Sequence, residues 1–390
     1  MPAQIIHILH GVATIQKTIE LVRNAGKEAL SREGGFLFLV FPKLCKPELF
    51  PWFCLGCQGP DLFYHNQRTR PFALEYGSLL HRHSYGDFSL SLLENALKYI
   101  PDDNLATPEV AFAIGFLLHP FPDRLMHPYI VYKSGSVSHT GAEIVKNAQN
   151  HIFLERILDM LFLEWSQDSV SEIVLWSTQM EYPAVCSFPQ TKLLSWPARN
   201  AEASIRHIII EALMNTFPKR ANKDKNLELR IQNMFQDASH FYELTDPGYF
   251  KRNSLNENRL IYSMLMKQEK QALALAALLY PFGVTMNADF LNMHQTKWHN
   301  PCEHGFESND SVPELFIKAR DEATVSLLKI LKAKNFAADI PVAIGNESLS
   351  LNDASKNRCN ARRFDRFELD ALLRLHLDSV SNLVQDLNQS

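Results

Sequence analysis

The chain has 390 residues, which is enough for one large domain or two modest ones. Glycine is sparse, with 15 residues, and the long segments favour Leu, Ala, Glu and Lys, so the composition favours helix over sheet. The 39 basic and 43 acidic side chains give a formal net charge of -4, and no global positive field indicates a nucleic acid or an anionic membrane as a partner.

The first residues carry no basic leader, long apolar core or small-residue cleavage site. No apolar run reaches the roughly 20 residues that a membrane-spanning helix needs. We therefore expect a soluble, cytoplasmic protein, in which the six scattered cysteines are reduced. The C-x-x-C pair Cys54 and Cys57 has no second pair at zinc-ribbon spacing, so we interpret both as core or incidental cysteines.

The first predicted helix is the apolar-periodic segment IIHILHGVATIQKTIELV, which contains His7 and His10. One of these histidines could be a metal ligand, although two ordinary helix residues are the simpler interpretation. Residues 34–57 follow and are rich in Phe, Leu and Pro. Their three prolines argue against a continuous helix. We expect a hydrophobic connection packed against the core, with a lid or a lipid-facing rim as the alternative.

Two candidate polar residues come next. Asp61 stands at the head of a new segment, directly after Gly59 and Pro60, where it either caps a helix or points a carboxylate inward. His81 and His83 lie two residues apart on a predicted helix and therefore face different directions, so at most one of them joins a common site. Leucines precede His81, and this apolar setting favours His81 over His83.

Residues 111–155 contain the clearest pattern of the chain. Five polar side chains recur there at four-residue intervals: His119, Asp123, His127, His151 and Glu155. Four residues of helix turn the chain by about 400°, which brings each side chain back to nearly the same face. The surrounding residues are apolar, and groups that can carry charge are costly to bury without a partner. A bound cation is the simplest compensation.

Two prolines interrupt this pattern. Pro120 and Pro122 follow His119 directly, and each removes an amide donor and crowds the preceding turn. We therefore expect one helix to end near His119 and another to begin near Pro122, because proline is favoured in the first turn of a helix. The polar groups stay close together in this arrangement.

Apolar residues at three- and four-residue spacing predict further helices at 169–179, 203–217, 226–244, 259–279 and 312–332. We expect residues 1–340 to form a helical metal-binding catalytic domain with its ligands within 1–160. Residues 341–363 are predicted to be a polar linker or loop. Residues 364–390 are predicted to form an amphipathic helix that docks either on the core or on a second subunit, which would make a homo-oligomer.

Eight imidazole and carboxylate groups are the candidate metal ligands: His7, Asp61, His81, His119, Asp123, His127, His151 and Glu155. These groups suit zinc, and they are too many for one tetrahedral ion. They suit a cluster of two or three zinc ions that share a carboxylate, an arrangement used for phosphoryl chemistry.

The sequence resembles the zinc-dependent phospholipase C family, as an intracellular-type bacterial member. The resemblance covers roughly the first 160 residues and is carried by the early His7, GPDLFY with Asp61, GSLLHR with His81, and GFLLHPFPDRLMHPY and HIFLE. It implies an all-α, multi-helix bundle of the zinc-dependent phospholipase C type. It also implies hydrolysis of a phosphodiester by metal-activated water, with a phosphate-ester small molecule or a phospholipid as substrate.

Carried over residue by residue, the resemblance implies that one zinc ion is held by Asp61, His81, His119 and Asp123. Asp123 would bridge to a second zinc ion that is also held by His7.

A third zinc ion would be held by His127, His151 and Glu155, and Asp61 would be the catalytic base.

Two other functions stay open. A single-strand nuclease shares this fold and would want a basic groove with aromatic platforms, but only short basic clusters occur, at 219–225 and 358–366. A non-catalytic helical scaffold would hold structural zinc in a closed site.

Overall fold

The computed structural model describes residues 4–26, 30–99, 106–134, 141–168, 191–201, 203–245, 269–281, 288–300, 307–349 and 367–389. Helices form the framework of these ranges. Their strands are limited to β1 (Trp298–His299) and β2 (Glu307–Ser308), which pair antiparallel. The predicted all-α class is confirmed.

The helices of the described residues, in chain order, are α1 (Gln4–Ala25), α2 (Arg32–Val40), α3 (Phe50–Cys57), α4 (Asp61–Tyr64), α5 (Leu74–Arg82), α6 (Tyr85–Leu97), α7 (Pro108–Leu118), α8 (Pro120–Ser134), α9 (Gly141–Asp168), α10 (Trp196–Arg199), α11 (Ala203–Thr216), α12 (Pro218–Ala221), α13 (Leu227–Leu244), α14 (Glu269–Leu278), α15 (Val312–Lys332), α16 (Phe336–Ile344) and α17 (Phe367–Gln389). One 3-10 turn, Phe41–Lys43, follows α2, and a π-helical turn, Thr191–Ser195, precedes α10.

The proline-rich segment 34–57 packs into the core. Its prolines break it into α2, the 3-10 turn and α3, and every residue of α3 is buried. Packing, rather than a lid or rim, is therefore the arrangement of α3. Pro120 and Pro122 act in the predicted way as well, since α7 ends at Leu118 and α8 begins at Pro120.

The later helices follow the predicted ranges with small shifts at their ends. Those predicted at 203–217, 226–244 and 312–332 correspond to α11, α13 and α15. Of the helix predicted at 259–279, the described part is α14, and the helix predicted at 169–179 lies outside the described residues. Residues 341–344 of the predicted linker belong to α16, which Asn335 starts by accepting a hydrogen bond from the Ala337 amide.

Close backbone contact between α3 and α7 sets the geometry of the region that follows each of them. A Cβ atom on Gly56 would lie 2.1 Å from the Phe112 carbonyl oxygen, and one on Gly115 would lie 2.3 Å from the Phe53 carbonyl oxygen. Only glycine leaves room for this approach. Because the two helices touch, the residues just after α3 lie beside the residue just after α7, which is His119.

Helix α15 lies against both α1 and α8 and also contacts α2 and α16. Helix α17 packs on α9 and α14 and buries Leu369, Leu372 and Leu373 in the core. This packing fits the first of the two predicted docking modes for the tail, docking on the core. Among the described residues, none of the helices combines the length and the apolar character that crossing a bilayer requires.

Candidate metal centre

Four helices and the junction between α7 and α8 bring five candidate ligands together in the protein interior. One group consists of His7, His119 and Asp123, and the other of Asp61, His81 and His119. Within each group the potential ligand atoms all lie within 4.8 Å of one another. All five residues are buried, with relative exposures from 0% for Asp123 to 4% for His81. His119 belongs to both groups and therefore joins them into one centre.

Backbone carbonyl groups orient two of the histidines. The Nδ1 atom of His81 donates to the Gly77 carbonyl at 2.8 Å, and that of His119 donates to the Cys57 carbonyl at 3.1 Å. In each ring this leaves Nε2 directed at the carboxylates. His81 Nε2 lies 3.0 Å from an Asp61 oxygen, and His119 Nε2 lies 3.9 Å from an Asp123 oxygen. Carbonyl groups commonly orient metal-binding imidazoles in this way.

Gly59 provides the space for His119. Its φ of +54° lies in the left-handed region, and a Cβ atom on it would lie 2.3 Å from the His119 Cγ atom. The sequence indicated Gly59 only as the end of a segment. Its further role, close contact with an imidazole 60 positions later in the chain, has no local signal.

Several buried polar atoms of the centre have no hydrogen-bond partner among the described residues. They are both ring nitrogens of His7, Nε2 of His119 and both carboxylate oxygens of Asp123. The rings of His7 and His119 stack with centroids 4.2 Å apart. Leaving such groups unsatisfied costs about 1–3 kcal/mol each. The donor set of imidazole and carboxylate suits a zinc ion, which would satisfy these atoms together.

Burial dominates the electrostatics of the centre. It raises the pKa of Asp123 to about 7 and also raises the pKa of Asp61. Burial and the neighbouring imidazoles lower the pKa of His7 and of His119 well below the usual value. Burial also acts to lower the pKa of His81, but the hydrogen bond to Asp61 and the negative charges of Asp61 and Asp123 together outweigh it, and the pKa is raised. The His7 and His119 imidazoles are therefore neutral near pH 7, which is the form that binds metal.

The three remaining predicted ligands lie together on α8 and α9. The ring centroids of His127 and His151 are 5.0 Å apart, and His151 Nε2 lies 2.9 Å from a Glu155 carboxylate oxygen. The Glu155 carboxylate also contributes to the raised pKa of Asp61 and of Asp123, so this trio adjoins the buried centre. The structure thus brings five of the eight predicted residues into two linked groups and places the other three next to one another on α8 and α9.

The other histidines considered at these positions lie elsewhere. His10 is buried, and its ring donates to the Ala319 carbonyl and packs edge-on against Phe316, so it belongs to neither ligand group. His83 is exposed and hydrogen-bonds to the hydroxyl of Ser84.

Two residues near the centre were missed by sequence reasoning. Tyr64 is half-buried and its ring packs on His81 with centroids 4.8 Å apart. Asp159 is fully buried and contacts the residue before His7. The four-residue interval that links His151 to Glu155 reaches Asp159 at its next step, so the periodic pattern could have indicated it.

Part of the chain matches a known protein family. Residues 40–192 match the sequence model of a family described as zinc dependent phospholipase C, which confirms the resemblance seen in the motifs. The matched segment contains seven of the eight predicted ligands, and His7 precedes it. No curated protein and no solved structure matches the chain. The family match and the buried histidine and aspartate groups together support a zinc-dependent phosphoesterase.

Proposed function

We propose, on the premise that the chain is a member of the zinc-dependent phospholipase C family, that it hydrolyses a phosphodiester at a cluster of two or three zinc ions. A phospholipid is the substrate class that the family indicates. The observation that carries the proposal is the pair of buried ligand groups that share His119. The Nδ1 atom of His119 is engaged by the Cys57 carbonyl, so only Nε2 is left for a metal.

Because only one nitrogen of His119 is free for a metal, His119 alone cannot bridge two zinc ions. One imidazole nitrogen binds one ion, so a second ion must find its link to the first elsewhere. Asp123 offers two carboxylate oxygens, and neither has a hydrogen-bond partner among the described residues. Asp123 is therefore our candidate for the bridging carboxylate, with His7 on the second ion.

Zinc ions bound in such a cluster supply a water whose pKa is lowered to about 7 and polarise the phosphoryl oxygens of a substrate. The protein supplies the base and the orientation. Asp61 would take the proton of the attacking water, and His81, whose Nε2 atom lies 3.0 Å from an Asp61 oxygen, would bind the same zinc ion through that nitrogen. Substrate would reach the centre past a partly exposed ligand, and His151, with 14% exposure of its side chain, is our candidate for that position.

The burial of the central ligands is also consistent with a catalytically inactive scaffold that holds structural zinc. Structural zinc sites are closed, and the five central ligands are almost completely buried. The partial exposure of His151 favours the catalytic proposal, because a closed site would leave no ligand in contact with solvent.

The test combines metal analysis with a substrate screen. Protein purified from a zinc-replete culture is expected to contain two or three zinc ions and to hydrolyse a phosphodiester from a panel that includes phosphatidylcholine vesicles, a nitrophenyl phosphodiester and single-stranded DNA. Asp123→Asn is expected to lower both zinc content and turnover, the latter by about 100-fold or more. Asp87→Asn, which alters an exposed carboxylate, is the matched control and leaves both unchanged.

Two outcomes would contradict the proposal. Metal-free wild-type protein from that culture would exclude a zinc enzyme. Full zinc loading with no turnover on the whole panel would favour the scaffold, and turnover confined to single-stranded DNA would favour the nuclease.

A further inference from the structure

Asp159 holds the first turn of α1 from outside that helix. Its Oδ1 atom accepts a hydrogen bond from the Ile6 amide at 2.9 Å, and the carboxylate also accepts from the Ile5 amide. The first amides of a helix have no acceptor within the helix and need one from elsewhere. Asp159, which is 153 positions away from Ile6, takes the place of the usual neighbouring cap and brings a negative charge to the positive end of α1.

The other side of the Asp159 carboxylate is also fixed. Its Oδ2 atom accepts from the Tyr280 hydroxyl at 2.9 Å and lies 3.8 Å from an Arg156 guanidinium nitrogen. Arg156 and Asp159 are one helical turn apart on α9, and both are buried. Burial raises the pKa of Asp159 to about 6, against the lowering effect of Arg156 and of the α1 amides. The carboxylate is therefore ionised at neutral pH and held from both sides.

His7 depends on α1 for its position more than the other central histidines depend on their helices. His81 and His119 each donate Nδ1 to a carbonyl, which fixes the ring. Neither ring nitrogen of His7 has a hydrogen-bond partner among the described residues. Apolar packing holds the inner face of α1, and the bond at its first turn adds a restraint on its position along the axis. The amide that Asp159 binds belongs to Ile6, the residue next to His7.

We propose that Asp159 is a positioning residue that caps α1 from α9 and thereby places His7 against His119 and Asp123 for metal binding. This inference rests on the proposed metal centre and deepens it. A single five-residue stretch of α9, from Glu155 to Asp159, then carries both a candidate ligand and the residue that positions another ligand.

The test is a double-mutant cycle on zinc affinity. Zinc bound by the full-length protein is titrated against a competing chelator for wild type, Asp159→Asn, His7→Ala and the double variant. Asp159→Asn is nearly isosteric. It is expected to lower the affinity for the zinc ion that His7 binds by about 10- to 100-fold, as the loss of an orienting group around a metal ligand does. In the His7→Ala background the same change is expected to have an effect within about twofold, because the residue that Asp159 positions is gone.

Asp224→Asn is the matched control. Asp224 also accepts from a tyrosine hydroxyl, an arginine and a backbone amide, which belong to Tyr76, Arg230 and Asn226. None of these donors adjoins a candidate ligand in the sequence, so the variant is expected to lose thermal stability and to bind zinc within about twofold of wild type. Tyr280→Phe provides a milder second arm if Asp159→Asn does not fold. It is expected to weaken zinc by about 2- to 10-fold, again only when His7 is present.

The outcomes separate this inference from the proposed function. Wild-type protein that binds no zinc would overturn both. Wild-type protein that binds zinc, together with Asp159→Asn or Tyr280→Phe variants that bind it equally well, would overturn the positioning role alone. An equal loss of affinity in the presence and absence of His7 would also overturn it, because the effect would then be a general loss of structure.

Discussion

Replacing Gly59 with alanine tests whether Gly59 positions His119 for metal binding in addition to stabilising the fold. The substitution has two costs. A non-glycine residue at φ +54° is strained by about 1–2 kcal/mol. The new Cβ atom would also lie 2.3 Å from the His119 Cγ atom, and overpacking a well-packed interior costs about 1–3 kcal/mol. Gly59→Ala is therefore expected to lower the free energy of unfolding by about 2–5 kcal/mol.

The same contact gives the expected effect on metal binding. To restore an ordinary contact of 3.4 Å, the imidazole must retreat by about 1.1 Å, the difference between 3.4 and 2.3 Å. Zinc tolerates deviations of only about 0.2 Å in its ligand distances. A shift of this size is expected to weaken zinc binding by about 10-fold or more.

Gly26→Ala is the matched control. Gly26 also has a positive φ, of +81°, but a Cβ atom there meets no described atom within 4 Å, so the variant carries strain without a clash. Urea unfolding of the metal-free proteins gives the two stability losses, and a chelator competition gives the zinc affinities. The reasoning is refuted if Gly59→Ala loses no more stability than Gly26→Ala and binds zinc as wild type does.

Two further predictions concern pH and thiol reactivity. The pKa of Asp123, about 7, and the pKa of His81 are raised in the metal-free protein, so zinc must displace protons when it binds. The zinc affinity is therefore expected to fall by about tenfold per pH unit below pH 7. A zinc affinity that stays constant between about pH 8 and about pH 6 in calorimetric titrations would contradict this prediction. Cys54 and Cys57 are free and buried, and burial raises the pKa of both thiols. Their labelling by maleimide, followed by peptide mass spectrometry, is therefore expected to be about 100-fold slower in the folded protein than in urea. Equal labelling rates would show that α3 is accessible to solvent.

Local patterns in the sequence predicted most of the helices and the residues that converge at the centre. Periodic apolar residues are a property of each segment alone, and so α1, α11, α13 and α15 were predicted close to their observed ends. The break between α7 and α8 was predictable because proline acts on its own neighbours. The site was indicated by motifs, since the four-residue interval from His119 to Asp123 and from His151 to Glu155 is a feature of the sequence itself.

What sequence reasoning missed consists of contacts between distant positions. The Cys57 carbonyl that orients His119 is 62 positions away from it, and the Asp159 carboxylate lies 153 positions from Ile6. A carbonyl group has no residue-specific signal, and a carboxylate on a helix is usually solvated. Only the packing of helices determines which of these groups meet a ligand.

Helix α15 lies outside the segment that matches the family, yet it contacts both α1 and α8. Helix α15 places Phe316 against His10, three residues from His7, and Asp321 pairs with Lys17 at 2.5 Å. It contributes none of the eight candidate ligands, yet it supports the two helices that carry His7 and Asp123. A recombination breakpoint between residues 192 and 312 would separate the ligands from this support, so the two parts of the gene are expected to be inherited and to vary together.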